Sequence, residues 1–371
     1  MSALTFTLAT PADDESLRRL LRENPIPGSI SLSFEREPCY FDASIVEGPF
    51  HQTIVAREMD TGEIIAFGNR SIRPLYVNGE VRDIGYMSQL RVRSDYGQGL
   101  YLARGLAGGF RKYHELHRDG RTPLYLMSVI EDNIPAKRLL TSGLSEYPYT
   151  QEYARLFTYA IYPLRRKRTL GLPDTLHLVR GSEKYIDQIM DCLNRNNERK
   201  QFAPHWTCDS LFIANLKPSD FFLALDGEHV VGCLACWDQT AFKQTVVRGY
   251  SGSLARWREL LNMLAVLGGW PNLPEPNTRL RYSYVSHLAI DNDDPVIFSA
   301  LLRALYCHNL EYGYTYFMLG LAESSPLRSI VKAYRPLIYT SQLYLVTWDE
   351  GQAELAKVDY ARIPAPEIAV L

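Results

Sequence analysis

The chain's most chemically informative spacing lies in Leu90-Arg91-Val92-Arg93-Ser94-Asp95-Tyr96-Gly97-Gln98-Gly99-Leu100-Tyr101. A strand pattern ends there, two glycines follow, and a helical pattern begins at Leu100. The first N–H groups of a helix have no intrahelical partners, and the macrodipole places partial positive charge on them. Glycines let such backbone approach an anion with no Cβ in the way. The turn therefore suits a pyrophosphate, with Arg93 and Arg104 adding charge and Asp95 turned away. A dinucleotide fold needs a third glycine where Leu102 stands, after a near-continuous apolar strand. A P-loop needs Gly-Lys-Ser/Thr, which is missing.

The elements that must position this turn alternate between strand and helix. In the first half, Thr5–Leu8 reads as a strand and Asp13–Arg22 as a helix with an acidic first turn. Strands follow at Gln52–Arg57, Ile64–Arg73 and Glu80–Val92, joined by the turns Asp60-Thr61-Gly62 and Asn78-Gly79. In the long third strand, Ile84, Tyr86, Ser88, Leu90 and Val92 face one way, and Asp83, Met87, Gln89 and Arg91 the other. A helix runs from Leu100 to Leu116 with Leu102, Leu106, Phe110 and Tyr113 on one face. A strand at Leu124–Val129, a short helix at Pro135–Ser142 and a strand at Tyr153–Tyr162 complete the half.

The second half repeats this order from Leu176 to Thr347, with an extra helix at Leu254–Leu267. Ser88-Gln89-Leu90 ends the long strand of one half and Ser286-His287-Leu288 that of the other. The boundary falls between Pro163 and Pro173, around Arg165-Arg166-Lys167-Arg168, four adjacent charges that read as solvated linker. The expected domains are 1–165 and 174–350, with a tail at 351–371. The fold class is α/β with an α+β mixed sheet.

Bulk properties narrow the partners. Lys plus Arg number 40 against 42 Asp plus Glu, so net charge gives no reason to expect nucleic acid. No long apolar run and no basic leader appear, which predicts a cytoplasmic protein with no membrane segment. Cys233 and Cys236 form a Cys-x-x-Cys inside an apolar run, without the second pair or nearby histidine of a zinc set, so no metal is expected.

The strand-to-helix turn resembles the signature Val-x-x-x-x-(Arg/Gln)-Gly-x-Gly-x-Gly/Ala of GCN5-related N-acetyltransferases. A second signature of that family, Asn-x-x-Ala-x-x-Leu-Tyr-x-x-x-Gly-Phe, resembles Asn133-Ile134-Pro135-Ala136-Lys137-Arg138-Leu139-Leu140-Thr141-Ser142-Gly143-Leu144. The resemblance implies two tandem acyl-CoA N-acyltransferase (GNAT-like) domains. Its motifs cover residues 1–165, and topology alone carries it further. The turn is one residue short, Tyr96 replaces the usual basic or glutamine residue, Tyr101 replaces the final small residue, and Leu140 stands where a tyrosine often serves as general acid.

By resemblance, the long strand and its neighbour splay apart and pantetheine lies in the wedge. The backbone of Leu90, Arg91 and Val92 would bind pantetheine and the acyl carbonyl, and the amides from Gly97, Gln98 and Gly99 to Leu100 and Tyr101 the pyrophosphate. Asn133 would bond the pantetheine arm, or simply cap the helix before Pro135. Acyl transfer to an amine needs a neutral nucleophile, an oxyanion site and a proton for the leaving thiolate. Candidate bases are Glu80 and Asp83; Tyr86 and Ser88 would orient substrate; Tyr147, Tyr149 or Tyr153 would replace the missing acid. The segment Pro25–Gly48, with Glu35, Glu37, Asp42 and Glu47 beside Phe34, Tyr40 and Phe41, reads either as an acidic receptor for a cationic substrate or as a solvated loop.

The second half reads as degenerate. Ile290-Asp291-Asn292-Asp293-Asp294-Pro295 puts three carboxylates where the glycines would be, and these repel a pyrophosphate. Its Trp237, Trp257 and Trp270 serve packing or an interface, and His287 reads as a core histidine or a cleft residue. The leading expectation is N-acetyl transfer from acetyl-CoA to a primary amine of a small molecule or peptide. A non-catalytic acyl-CoA-binding regulator and a transferase of longer acyl or aminoacyl groups are the alternatives. A homodimer is left open.

Overall fold

The order of strands across the main sheet has an approximate twofold symmetry that organises the whole molecule. A computed structural model describes residues 3–96, 100–144, 146–167, 172–268 and 271–371. The first half contributes β1 (Leu4–Leu8), α1 (Asp14–Glu23), β2 (Ile30–Glu35), α2 (Asp42–Ile45), β3 (Phe50–Glu58), β4 (Ile64–Val77) and β5 (Glu80–Val92). It continues with α3 (Leu100–His117), β6 (Tyr125–Ile130), α4 (Ile134–Leu140) and β7 (Tyr149–Ile161). The second half begins with β8 (Leu176–Arg180), α5 (Ile186–Asn197), β9 (Ala203–Pro204), α6 (Cys208–Ile213), β10 (Phe221–Asp226) and β11 (His229–Trp237). Then come β12 (Gln244–Tyr250), α7 (Gly252–Gly268), β13 (Thr278–Arg279), β14 (Tyr282–Ile290) and α8 (Pro295–Glu311). The chain closes with β15 (Tyr316–Ala322), α9 (Arg328–Val331), β16 (Leu337–Thr347) and α10 (Gln352–Leu355).

The sheet runs β1-β3-β4-β5-β6-β16-β7-β15-β14-β11-β10-β8, with β9 attached to β4. Exchanging β1 with β8, β3 with β10, β4 with β11, β5 with β14, β6 with β15 and β7 with β16 regenerates the same order. The symmetry passes through the long antiparallel ladder of β7 and β16, from Leu337↔Ala160 to Thr347↔Tyr149. The halves also exchange their last strands. β16 pairs with β6, and β7 with β15. The linker near 163–173 thus divides the sequence, while in space each half is completed by a strand from the other.

Local chemistry explains the elements. Asn78 and Gly79 take φ of 57° and 90°, so both turn residues adopt the left-handed region that a tight β4–β5 hairpin requires. Asp14 and Glu15 lie in the first turn of α1, and Leu17, Leu20 and Leu21 bury its inner face. The segment expected to be irregular between Pro25 and Gly48 instead contains β2 and α2. β2 pairs with β12 of the second half in a separate three-stranded sheet. Pairing with a distant strand overrides a weak local signal.

The extra helix is α7, where Trp257 is exposed, whereas Trp237 is buried in β11 and Trp270 lies outside the described residues. Cys233 and Cys236 belong to different core clusters on opposite faces of β11, so their thiols do not converge. Among the described residues, no helix is long and apolar enough to cross a membrane.

Candidate active site

Neighbouring parallel strands β5 and β6 pair only at Gly85↔Tyr125 and Tyr86↔Leu126. Beyond Tyr86 they part, although β6 stays fully paired to β16 on its other side. Gly85 sits where they separate. A Cβ there would lie 2.0 Å from the Tyr125 ring, so only glycine lets that ring lie flat on β5. Tyr125 is itself fixed: its hydroxyl accepts from Arg70 Nε at 3.0 Å and lies 3.2 Å from His117 Nδ1.

A bulge then re-aims β5. Asn69 pairs with Ser88 and Phe67 with Arg91, so one extra residue is accommodated on β5, and Gln89 takes φ of 54°. The extra residue reverses the alternation. Ile84 and Tyr86 face away from α3, whereas Leu90 and Val92 line an apolar cleft against it with Gly105 and Gly109. The single face expected for Ile84 through Val92 is therefore split at Gln89.

The second half has the same construction. β14 and β15 pair only from Tyr282↔Tyr316 to Tyr284↔Met318, and His287 takes φ of 50° at the position matching Gln89. Here the chain's own tail enters the opening and leaves a cleft of about 690 Å³ lined by Leu288, Leu319 and residues 363–368. The His287 N–H donates to Glu367 Oε2 at 2.9 Å, and Ile368 packs so tightly on Gly320 that a Cβ there would meet its Cγ2 at 2.1 Å. The N-terminus of α8 is also taken: Asp294 Oδ1 accepts from the amides of Val296 at 2.7 Å and Ile297 at 3.2 Å. Asp291 pairs with Arg195 and Asp293 with Lys200.

His287 is a core residue, stacked on Trp206 with ring centroids 3.9 Å apart. Burial pulls its pKa from the usual 6.5 down to about 3. The unfolded chain thus binds a proton below pH 6.5 that the folded chain refuses. The stabilisation is full above that pH and is lost as pH falls toward 3. Between pH 7 and pH 4, wild type should lose about 3 kcal/mol more than His287→Asn, read from urea midpoints. Parallel curves would remove His287 as the cause. Asn retains tolerance of positive φ without titrating.

The expected site residues divide. Gly97, Gln98 and Gly99 lie outside the described residues, as do the side chains of Leu100, Tyr101 and Arg104. Arg93 is ion-paired to Asp95 at 2.6 Å and Glu63 at 3.0 Å rather than left open to an anion. Leu90 is exposed, and Arg91 and Val92 are half-buried along the parted edge of β5. Asn133 Oδ1 accepts from Ala136 N at 3.2 Å, capping α4.

Of the acid–base candidates, only Tyr86 stands at the parting of the strands. Glu80 is exposed at the hairpin end of β5, paired with Arg82, and Asp83 is exposed three residues before Tyr86 on the opposite face. Tyr149 is exposed at the start of β7. Tyr147 packs on Phe110 beneath α3, with centroids 4.6 Å apart, and Leu140 shares that core. Tyr153 meets Phe202 edge-on at 5.2 Å and packs against the same cluster as Tyr86, on the face away from α3.

Tyr86 is buried, and its hydroxyl lies 2.8 Å from Ser128 Oγ. Burial pushes its phenol well above the usual value, so it stays protonated at neutral pH. With Glu47, Arg73, Leu126, Phe202 and Glu367 it lines a cleft of about 320 Å³ on the face away from α3. Glu47 is bonded by Arg36, and by Asn69 Nδ2 at 3.3 Å.

His51, which sequence reasoning did not single out, sits on the same face: it lies across from Ser71, and Ser71 across from Tyr86. Its Nδ1, Ser71 Oγ and Ser88 Oγ are buried without a protein partner. Burial holds the His51 imidazole below its usual pKa of 6.5, and therefore neutral at pH 7. His51 is one of several polar residues of β3, and only its cross-strand neighbours single it out.

The acidic segment is already neutralised. Glu35 pairs with Arg248, Glu37 with Arg18 and Arg22, and Glu47 with Arg36. Only Asp42 remains exposed on α2. The reading of this segment as a receptor for cations loses its carboxylates to these pairs.

A sheet parted beside a bulge, repeated about a twofold axis and joined by exchanged strands, is the fold of tandem GNAT N-acyltransferases. A GCN5-related N-acetyltransferase from Sphaerobacter thermophilus matches with a TM-score of 0.56 at 12% identity, over 92% of this chain and 95% of that one. Saccharomyces cerevisiae N-myristoyltransferase with bound myristoyl-CoA matches with a TM-score of 0.58 at 12% identity, over 94% of this chain and 79% of that one. No protein-family model and no curated protein sequence matches the chain.

Proposed function

We propose that this chain is an acyl-CoA-dependent N-acyltransferase that acylates a primary amine of a small molecule or peptide at the parting of β5 and β6. The observation that carries this reading is the edge of β5 beyond Tyr86, which among the described residues has no strand partner on its β6 side. Inward backbone N–H and C=O groups demand partners. An amide-bearing pantetheine arm supplies them as an added strand would. Leu90, Arg91 and Val92 lie along that edge, and the turn from Gly97 through Gln98 and Gly99 to Leu100 and Tyr101 would take the pyrophosphate. Asn133 would reach the arm with its remaining donors.

The chemistry follows from Tyr86 and His51. The amine lone pair attacks the thioester carbonyl carbon, and the C–S bond breaks. His51 Nδ1 receives the proton shed by the nitrogen, and the Tyr86 hydroxyl gives its proton to the departing sulfur. The products are an amide and free thiol. The proton on His51 then restores Tyr86, so none is gained or lost. Glu80, Asp83 and Tyr149 take no part in this scheme because of where they sit. The second half acts as a structural partner, residues 363–368 occupying part of its own opening.

Acetyl is the first expectation for the acyl group. A longer chain is a second reading, supported by the apolar cleft of about 470 Å³ between β5 and α3 and by the yeast relative's myristoyl-CoA. Calorimetry of CoA with the full chain should give a Kd of about 10 µM. Thiol release from acetyl-, octanoyl- and myristoyl-CoA with an amine panel then distinguishes a transferase from a binding protein and sets the chain length. No heat with CoA sinks the reading.

A further inference from the structure

Arg73 is the one cation among the described residues that line the cleft beside Tyr86. The Arg73 guanidinium donates only to main-chain carbonyls, from Nε to Glu47 O at 3.0 Å and from an Nη to Val46 O at 2.6 Å. Among the described residues, no carboxylate reaches salt-bridge distance of Arg73, Lys243 or Arg91. Lys243 Nζ contacts Ala369 O at 3.5 Å. Its charge is felt by Glu47, Arg36 and Arg73, and burial brings its pKa down to about 8. Arg91 is held near Arg36 and Tyr40 on the same side of the sheet.

Glu47, Glu367 and Leu371 line the same cleft. Glu47 belongs to Arg36. Glu367 accepts from the amides of His287 at 2.9 Å and Ala369 at 3.1 Å, and burial raises its pKa, which weakens it as a counter-ion. A buried guanidinium with no anionic partner is costly unless a ligand supplies one. Arg73 opens onto the cleft, with two of its five N–H groups committed.

We propose that the acceptor amine carries a carboxylate, received by Arg73 with Lys243 behind it, so that the nitrogen is presented to the thioester at Tyr86. This rests on the N-acyltransferase reading and names its acceptor class. The carboxylate comes from a free amino acid, or from an acidic side chain next to a peptide amine. The experiment separates the two.

Thiol release is measured with acetyl-CoA, or with whichever acyl-CoA binds, against glycine, leucine and glutamate, their carboxamides, and an N-terminal aspartyl peptide amide. Acids should exceed their amides by about 30-fold or more in kcat/KM, the scale of one charged hydrogen bond. Activity with the aspartyl peptide but not the free acids assigns the side-chain source. Arg73→Gln should raise KM for the acid at least tenfold with kcat little changed, leave the amide unaffected, and be partly rescued in Arg73→Lys. Lys243→Met should act in the same direction if Arg73→Gln does not fold. Amides equal to or better than acids overturn the proposal.

Binding of N-acetylleucine and N-acetylleucinamide to the CoA-loaded chain, by calorimetry, decides the inference separately. A tenfold preference for the acid upholds it, and equal affinity ends it. If no amine of any kind releases thiol, the N-acyltransferase reading fails, while the binding pair still judges the carboxylate site.

Discussion

Tyr86→Phe will lower kcat for acyl transfer by about 10²–10³-fold while leaving the KM for acyl-CoA within a factor of two or so. The substitution removes one oxygen and keeps the ring. Ile84, Leu126 and Phe202, which share the Tyr86 core, retain their packing. What is lost is the proton at the point where the strands separate, and with it the neutralisation of the departing thiolate. Burial keeps the phenol protonated across the neutral range, so the donor is fully loaded at pH 7. Steady-state kinetics with saturating amine checks this. A loss smaller than threefold would show that the hydroxyl only pairs with Ser128 and that another group, or water, protonates the sulfur. Ser128→Ala separates the roles further: it removes the partner 2.8 Å away without removing the acid, so it should cost far less.

Gly85→Ala will destabilise the fold by about 3 kcal/mol or more. The new methyl would sit 2.0 Å from one ring carbon of Tyr125 and 2.3 Å from another, far inside van der Waals contact. Tyr125 has little freedom to yield: it is fully buried, bonded to Arg70, and in edge contact with Trp348 at 5.6 Å. Arg70 in turn is locked to Asp119 by two bonds of 2.8 Å. The strain therefore falls on the two ladder rungs that join β5 to β6. Urea unfolding gives the loss, and Gly85→Ala combined with Tyr125→Leu should recover part of it as a positive coupling. A single mutant as stable as wild type would mean that the strands can shift apart freely, and the parting would not be a fixed site.

Several features were legible in the sequence because they are local. The two glycines after the long strand, the Asn78-Gly79 turn and the capped helices each follow from a few adjacent residues. The repeat was legible because element order survives where residue identity does not. The echo of Ser88-Gln89-Leu90 in Ser286-His287-Leu288 marks the middle residue of each bulge, Gln89 at φ 54° and His287 at φ 50°. What could not be read was their conformation. Neither residue is a glycine, so nothing in the sequence announces a positive φ. Strict alternation was the natural expectation for a strand of that length, and one accommodated residue reversed it.

The glycine turn that the sequence offers for CoA lies outside the described residues, and the acceptor side was not legible in the sequence. Acidic residues between Pro25 and Gly48 look like a receptor for cations when counted along the chain. Arg18 and Arg22 on α1, Arg36 beside Glu47, and Arg248 on β12 neutralise them, three of these partners being in the segment or just before it and one more than 200 residues away. The cation lining the cleft is Arg73, whose charge Lys243 feels, and no short motif links the two. His51 was invisible for the same reason.

By itself, then, the amino-acid order determined most strands and helices of the repeated unit, that the unit occurs twice, and that one copy has the glycine turn while the other has carboxylates. These are properties of neighbouring residues and their backbone preferences. Tertiary structure alone decided that β7 and β16 trade places, that residues 363–368 enter one opening, and which charges meet a partner. Strand pairing and charge neutralisation are settled between residues far apart in the chain, where burial makes an unpaired amide or ion costly, and no local pattern records the outcome.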